Sequence, residues 1–146
     1  MTEPLIIAPQ KKSWISYTEH SDFPIQNIPL GVFSNDNAVR RMCSIIGDQV
    51  IDLAGLAQDG FLDPTYFQAS DFISENLNPL LQRGRAVTRA LRQNIAELFD
   101  ESNHQVDRTK CKTHLYTQSL VTLHLPVKPG NYTDFYSSRE HATNVG

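Results

Sequence analysis

Two short apolar runs around a single turn constrain the fold of this chain more than any other feature. The runs are 41–46 and 49–53, and Gly47 and Asp48 lie between them. Apolar runs of this length on either side of a glycine-containing pair are typical of a β-hairpin. Because a hairpin joins antiparallel strands, the pattern favours a small antiparallel barrel over a parallel sheet.

Prolines and turn residues restrict the chain before the hairpin. Pro24 and Pro29 lack the backbone N–H that a central strand needs, so the chain around them is predicted to be irregular and extended. A short strand is predicted at 30–33, and the cluster 34–37 predicts a turn. After the hairpin, 54–58 is predicted to form one helical turn.

The clearest helix signal covers 79–99. Asn78 is a favoured N-cap residue, and Pro79 at the first helical position has no N–H to leave unsatisfied. Apolar residues then recur at near-helical spacing, so one long helix is predicted. Four arginines fall mostly off the apolar stripe and are interpreted as a solvated face: Arg83, Arg85, Arg89 and Arg92.

Composition excludes several classes of function. The 146 residues fit one ordinary domain, with 40% hydrophobic residues and a formal net charge of −3. The charges are interspersed, so no basic patch predicts nucleic-acid binding. The sequence shows no signal peptide and no stretch long and apolar enough to span a membrane. Cys43 and Cys111 stand alone, which favours packing roles in a reducing compartment over a disulfide, and the cytoplasm is the expected location.

An unusual group of side chains lies near the C-terminal end. The segment 137–140, Ser-Ser-Arg-Glu, matches a capping box with Ser137 at the N-cap, which would bring Tyr136 and His141 together. Asp134 and Tyr136 would point to the same side if the chain before the helix is extended. Acid, phenol and imidazole would then converge at a helix N-terminus, where free N–H groups attract anions. An ordinary capped helix with a histidine in its second turn fits the same spacing.

Several sequence blocks resemble fumarylacetoacetase. Residues 21–33 (SDFPIQNIPLGVF) resemble the N-terminal signature of that family, and 46–53 (IGDQVIDL) is similar to its next block. The blocks 123–126 (LHLP) and 130–146 (GNYTDFYSSREHATNVG) resemble the start of its catalytic domain. The resemblance implies a mainly β fold with α: an SH3-like N-terminal barrel with one long helix, followed by the truncated start of a β-rich catalytic domain.

The predicted organisation has three parts. Residues 1–12 precede the resemblance and are predicted to be a mobile extension. Residues 13–121 are the predicted SH3-like N-terminal domain, and 122–146 are the predicted linker and start of the catalytic domain. The chain is accordingly expected to be an incomplete part of the enzyme.

The resemblance implies roles for three residues. Asp134 matches the family's first carboxylate ligand of a divalent cation, Tyr136 a tyrosine that contacts substrate, and His141 the general base that activates water. Imidazole is the commonest general base, and hard carboxylate oxygens are preferred ligands of calcium and magnesium. No role is carried over for Arg139 or Glu140. The other histidines show no partner pattern and are interpreted as structural or solvent-facing: His20, His104, His114 and His124.

The implied reaction is hydrolysis of the carbon–carbon bond of 4-fumarylacetoacetate to fumarate and acetoacetate, the last step of tyrosine and phenylalanine breakdown. The complete family enzyme is a homodimer that uses Ca²⁺ or Mg²⁺. This chain alone is expected to bind neither ion tightly and to be inactive, because the family's further carboxylates and its histidine-orienting glutamate lie beyond Gly146. No nucleic acid or membrane is expected as a partner. The alternative is a non-catalytic N-terminal domain that acts as a structural or partner-binding module.

Overall fold

Five antiparallel strands form one curled sheet in the computed structural model, which describes residues 6–37 and 39–145. The strands are β1 (Leu30–Ser34), β2 (Arg41–Ile46), β3 (Gln49–Asp52), β4 (Leu115–Thr117) and β5 (Thr122–His124). Along the sheet they stand in the order β4-β3-β2-β1-β5. This half-barrel within a mixed α and β architecture is consistent with the predicted SH3-like barrel.

The α-helices lie between β3 and β4 and after β5. They are α1 (Leu53–Gln58), α2 (Asn78–Gln82), α3 (Arg85–Leu98), α4 (Arg108–Lys112) and α5 (Arg139–Val145), with 3₁₀ helices at Ala69–Phe72 and Gln118–Leu120. No helix in the described part of the chain is both long enough and apolar enough to cross a membrane. Residues 1–5 of the predicted extension and Gly146 of the C-terminal block lie outside the described residues.

The predicted hairpin is confirmed, because β2 and β3 pair antiparallel around a tight turn. Gly47 in that turn has φ of 62°, a left-handed conformation that glycine adopts most readily. β3 ends at Asp52, whose carboxylate accepts hydrogen bonds from the N–H groups of Ala54 and Gly55 and so caps α1. The helical turn predicted at 54–58 is α1, which begins one residue earlier.

Strand alternation sends neighbouring side chains of β2 into two apolar clusters. Met42 and Ile46 belong to the larger cluster, which also contains the buried apolar side chains of α1 and α3. Cys43 and Ile45 belong to a smaller cluster with Phe33 and Val50. Apolar side chains therefore cover this strand on both faces, which explains why 41–46 is almost continuously apolar.

Both cysteines are buried free thiols, so the predicted packing role is confirmed. Burial raises the pKa of Cys43 to about 12, and the nearby Asp52 carboxylate adds to the effect. Burial also raises the pKa of Cys111 to about 12, with a contribution from Asp107. Both thiols therefore stay protonated and poorly nucleophilic at neutral pH.

The prediction of one long helix at 79–99 is wrong, since the structure has two helices there. Between α2 and α3, Gly84 has φ of 88° and ψ of 174°, a conformation that is essentially restricted to glycine. The backbone therefore breaks at a residue that the apolar periodicity passes over. α2 also begins one residue before the prediction: Leu77 rather than Asn78 is the N-cap, and Pro79 is the second helical residue.

Replacing Gly84 by alanine is expected to lower the free energy of unfolding by about 1–3 kcal/mol, because an L-residue is strained in this backbone conformation. The space around an added Cβ is open at Gly84, so steric contact contributes nothing. Gly130→Ala is the matched control, since its Cβ also meets open space and Gly130 lies outside the left-handed region. Urea denaturation of both variants measures the difference, and equal stabilities would contradict the assignment.

Residues 6–12 run along the body of the protein. The Gln26 side-chain amide donates at 2.8–3.2 Å to three carbonyl oxygens of this segment, those of Ala8, Pro9 and Lys11. The Lys11 ammonium forms an ion pair with Asp100, beyond the end of α3. The mobility predicted for 1–12 and the predicted domain limit at 121 stay predictions.

The Lys11–Asp100 pair gives stability a specific pH dependence. The hydrogen bond from Lys11, followed by that from the Ser102 N–H, lowers the pKa of Asp100 from 3.8 to about 2. Because the folded pKa is depressed, this contribution is fully present above the unfolded pKa and is lost as pH falls from about 4 through about 2. Asp100→Asn is expected to be less stable than the parent at pH 7 and to show a shallower loss over that window. Denaturation curves at pH 7, 4 and 2 measure this, and parallel losses in both proteins would contradict it.

Candidate active-site segment

The candidate residues lie after β5, on the chain that leaves the sheet. β5 pairs antiparallel with β1, with Val32 opposite His124 and Ser34 opposite Thr122. The His124 Nε2 lies 2.8 Å from the Ser34 hydroxyl oxygen. Of the two predicted roles, structural or solvent-facing, this half-buried ring therefore has the structural one. The sheet therefore fixes the chain direction up to residue 124.

Two residues at the start of α2 hold the chain after β5. The Leu77 N–H donates to the Pro126 carbonyl oxygen at 2.7 Å. The Asn78 side chain accepts from the Lys128 N–H at 3.1 Å and donates to the Lys128 carbonyl oxygen at 2.8 Å. We call Leu77 and Asn78 the α2 corner. Asn78 was predicted to cap the helix, but its side chain bonds to Lys128 instead.

Helix α5 carries His141 and begins one residue later than the capping-box pattern predicts. The Ser138 hydroxyl oxygen accepts from the His141 N–H at 3.1 Å, and the Ser138 carbonyl oxygen accepts from the Ala142 N–H at 3.1 Å. Ser138 therefore occupies the N-cap, and the prediction of Ser137 is wrong. Either serine supplies an equivalent hydroxyl, so the sequence alone does not distinguish them. Glu140 is therefore at the second helical position rather than the predicted third. It is still in the first turn, where a negative charge interacts favourably with the helix dipole.

The structure brings two of the three candidate side chains together. The ring centroids of Tyr136 and His141 are 5.3 Å apart, with an angle of 39° between the rings. Their predicted proximity is therefore confirmed despite the shifted cap. Among residues 6–37 and 39–145, no hydrogen bond or ion pair joins Asp134 to either ring, and the predicted convergence of all three groups stays a prediction.

Every described residue from Val127 onward is solvent-exposed. Tyr132 is 85% exposed, Phe135 79% and Tyr136 61%, which are high values for aromatic side chains. A general base acts on a substrate that is held within hydrogen-bond reach and sheltered from bulk water. The described residues place the His141 imidazole, the candidate base, beside the Tyr136 phenol, but they form no enclosing wall around the two rings.

The described residues contain few of the side chains that hold a metal ion close to one another. Calcium takes six to eight oxygen ligands and magnesium six, mostly carboxylates, carbonyls and water. The described part of the chain contains no group of three or more His, Cys, Asp or Glu side chains that could hold a metal ion. Asp134 has the right donor chemistry for a hard cation but not the required number of companions.

A histidine–carboxylate pair elsewhere was missed by the sequence analysis. The His114 Nε2 lies 2.9 Å from an Asp59 carboxylate oxygen, and the Lys110 ammonium lies 3.6 Å from the other. The hydrogen bond from His114, followed by the positive charge of Lys110, lowers the pKa of Asp59. The His114 ring packs edge-on against Phe61 and so closely over Gly55 that an added Cβ would lie 2.3 Å from the ring. These contacts make the pair a structural link, and its 55-residue separation leaves no local sequence signal.

Comparison with known proteins gives the same family for most of the chain. The family described as "Fumarylacetoacetase N-terminal" matches residues 26–126. The fumarylacetoacetases of Mus musculus and Homo sapiens are 40% and 39% identical over 138 residues, which cover 92% of this chain and 33% of each relative. The Dictyostelium discoideum fumarylacetoacetase is 40% identical over 140 residues, covering 92% of this chain and 32% of the relative. The chain thus spans about a third of the length of the curated relatives that it matches.

Proposed function

This chain belongs to the fumarylacetoacetase N-terminal family, and from that premise we propose that it is the N-terminal part of a fumarylacetoacetase. That enzyme would hydrolyse 4-fumarylacetoacetate to fumarate and acetoacetate in the last step of tyrosine and phenylalanine breakdown. The observation that carries the proposal is the identity of about 40% to the mouse fumarylacetoacetase over 92% of the chain. The proposed setting is a cytoplasmic homodimer.

We assign to His141 the role of general base. Cleaving the carbon–carbon bond of a β-diketone requires water to be made nucleophilic, and an imidazole that takes the water proton does this. Hydroxide then adds to the carbonyl carbon on the fumaryl side. The carbon–carbon bond breaks, and its electron pair goes to the acetoacetate carbon as a carbanion. Transfer of the proton that the imidazole took from water to this carbanion balances the reaction. Tyr136 lies against the His141 ring and is proposed to contact the substrate beside the base.

Asp134 is proposed as one ligand of a divalent cation. When bound, such an ion would stabilise the enolate oxygen that forms as the carbon–carbon bond breaks. Because the described residues do not complete an ion site, further ligands must come from elsewhere. The exposure of Asp134 is compatible with this, since its carboxylate is free to meet groups supplied by another part of the protein.

The proposal is tested with a joined protein, in which residues 1–146 are followed by the portion of the mouse relative that lies beyond the matched region. We expect the joined protein, assayed with calcium or magnesium, to consume fumarylacetoacetate, as followed by loss of its absorbance. Acetoacetate and fumarate should appear in equal amounts. A folded joined protein without turnover would favour the alternative, a non-catalytic structural or partner-binding module.

A further inference from the structure

The segment 126–145, which carries the candidate residues, is attached to the rest of the described chain at the α2 corner. Its hydrogen bonds to other described residues are the one from Leu77 to Pro126 and the two between Asn78 and Lys128. The hydrogen bonds of 138–145 are internal to α5 and its cap. Where this segment lies relative to the sheet therefore depends on these three bonds.

The corner itself is firmly placed. Leu77 is 4% exposed and belongs to the larger apolar cluster, so its backbone position is fixed by the core. The Asn78 N–H donates to the Asn76 side-chain oxygen at 3.0 Å, which orders the chain just before α2. A side chain that projects from this corner is thus a rigid support for whatever it binds.

The Asn78 side chain pairs with Lys128 in the way that one peptide group pairs with another. Its oxygen accepts from the Lys128 N–H while its nitrogen donates to the Lys128 carbonyl oxygen, which closes a ring of two hydrogen bonds. Such a ring requires a donor and an acceptor at fixed positions on one short side chain. An ionised aspartate keeps the acceptor but places a second oxygen against the carbonyl, whereas a protonated aspartic acid again offers both functions.

We propose that Asn78 is the positioning residue of the candidate active-site segment: its amide fixes Lys128 and so sets where that segment leaves the sheet. The inference rests on the proposed function in assigning Asp134, Tyr136 and His141 to an active site. Asp134 lies six residues beyond Lys128 but eight beyond Pro126, which the Leu77 N–H holds. An extended chain spans at most about 3.3–3.6 Å per residue, so the Asn78 anchor shortens the reach of Asp134 from about 28 Å to about 20 Å.

The test measures the position of the chain just beyond the anchor, without substrate. Spin labels are attached to Lys112→Cys on α4 and to Asn131→Cys, both exposed, in this same chain. The native cysteines are 4% and 0% exposed and are not labelled in the folded protein. Asn131 is three residues from Lys128 but five from Pro126, which the Leu77 N–H still holds in the variants, and the spread of a flexible chain grows with the square root of its length. Asn78→Ala is therefore expected to widen the distance distribution about 1.3-fold, and Asn78→Asp to do the same at pH 7.

Lowering the pH gives the readout that a general loss of stability would not produce. At about pH 3, below the ordinary aspartate pKa of about 3.9, Asn78→Asp should return to the width of the parent, while Asn78→Ala should stay wide. Asn35→Asp is the matched control, because toward the described residues the Asn35 side chain acts through its oxygen, which accepts from the Asn37 N–H. The exchange rate of the Lys128 amide should follow the same pattern, with about fivefold faster exchange when the ring is broken.

The proposal would be overturned if the distance distributions of both Asn78 variants were as narrow as that of the parent at pH 7. It would also be overturned if the distributions of the alanine and aspartate variants narrowed equally at low pH. If Asn78→Ala fails to fold, the comparison of Asn78→Asp at the two pH values decides alone. The measurement is independent of turnover, so an inactive joined protein would refute the proposed function and leave this result standing. If the spin-label distance distributions of the Asn78 variants have the same width as that of the parent, the positioning role is refuted and the activity assignment stands.

Discussion

Replacing His141 by alanine in the joined protein is expected to lower kcat about 10²–10⁴-fold, the usual contribution of one general base. The His141 side chain lies on an exposed helix. The hydrogen bond to the Ser138 hydroxyl oxygen is donated by the backbone N–H of residue 141, so the substitution leaves the cap intact. Removal of the imidazole leaves water to attack without a partner that accepts its proton. The free energy of unfolding should therefore change little while turnover falls.

His104→Ala is the matched control for this measurement. His104 is also exposed and lies outside the candidate segment, so its substitution should leave kcat within about twofold of the parent.

Residues 1–146 alone should show no turnover with or without added calcium, because the described residues do not complete an ion site and do not enclose the base. Substrate loss catalysed by this chain alone and abolished by His141→Ala would show that the missing ligands are dispensable.

Asp52→Ala is expected to lower the free energy of unfolding by about 3 kcal/mol, toward the lower end of the range for breaking a buried ion pair. Asp52 is 1% exposed, pairs with Arg41 and caps α1 through two buried N–H groups. Alanine leaves those donors unsatisfied and leaves Arg41, whose side chain is 22% exposed, without its partner. Urea denaturation followed by circular dichroism measures the change.

Asp107→Ala supplies the comparison, because it removes an aspartate cap in an exposed setting. Asp107 accepts from the Lys110 N–H at the start of α4 and is itself exposed. Loss of such a cap costs about 1 kcal/mol. Equal effects of the two substitutions would show that burial and the pairing with Arg41 add nothing at Asp52.

Structural features that are determined by residues close together in the chain were predictable from the sequence. The hairpin follows from two apolar runs around Gly47, and the strand at 30–33 appears as β1. The contact of Tyr136 with His141 also follows from local spacing, since both residues flank a helix start. In each case the interacting groups are within a few residues, so periodicity and turn chemistry determine the geometry.

Features that depend on distant partners were not predictable. Gly84 ends a helix that the apolar pattern continues, because one backbone conformation outweighs the periodicity of its neighbours. Asn78 has the composition of a cap, yet Lys128, fifty residues away, is the partner that its amide takes. The same holds for the His114–Asp59 pair, whose two residues are 55 positions apart.

The two outer strands of the sheet bear on how this protein behaves at high concentration. β4 and β5 contain three residues each, and Pro126, two residues after β5, has no N–H to offer. A sheet edge recruits strands of other molecules through its row of free peptide groups, and short edges next to proline provide few of them. The hydrophobic β2, which would be the most aggregation-prone strand of this sheet, is held between β1 and β3, away from both edges. Resistance to edge-to-edge polymerisation is thus built into the strand order.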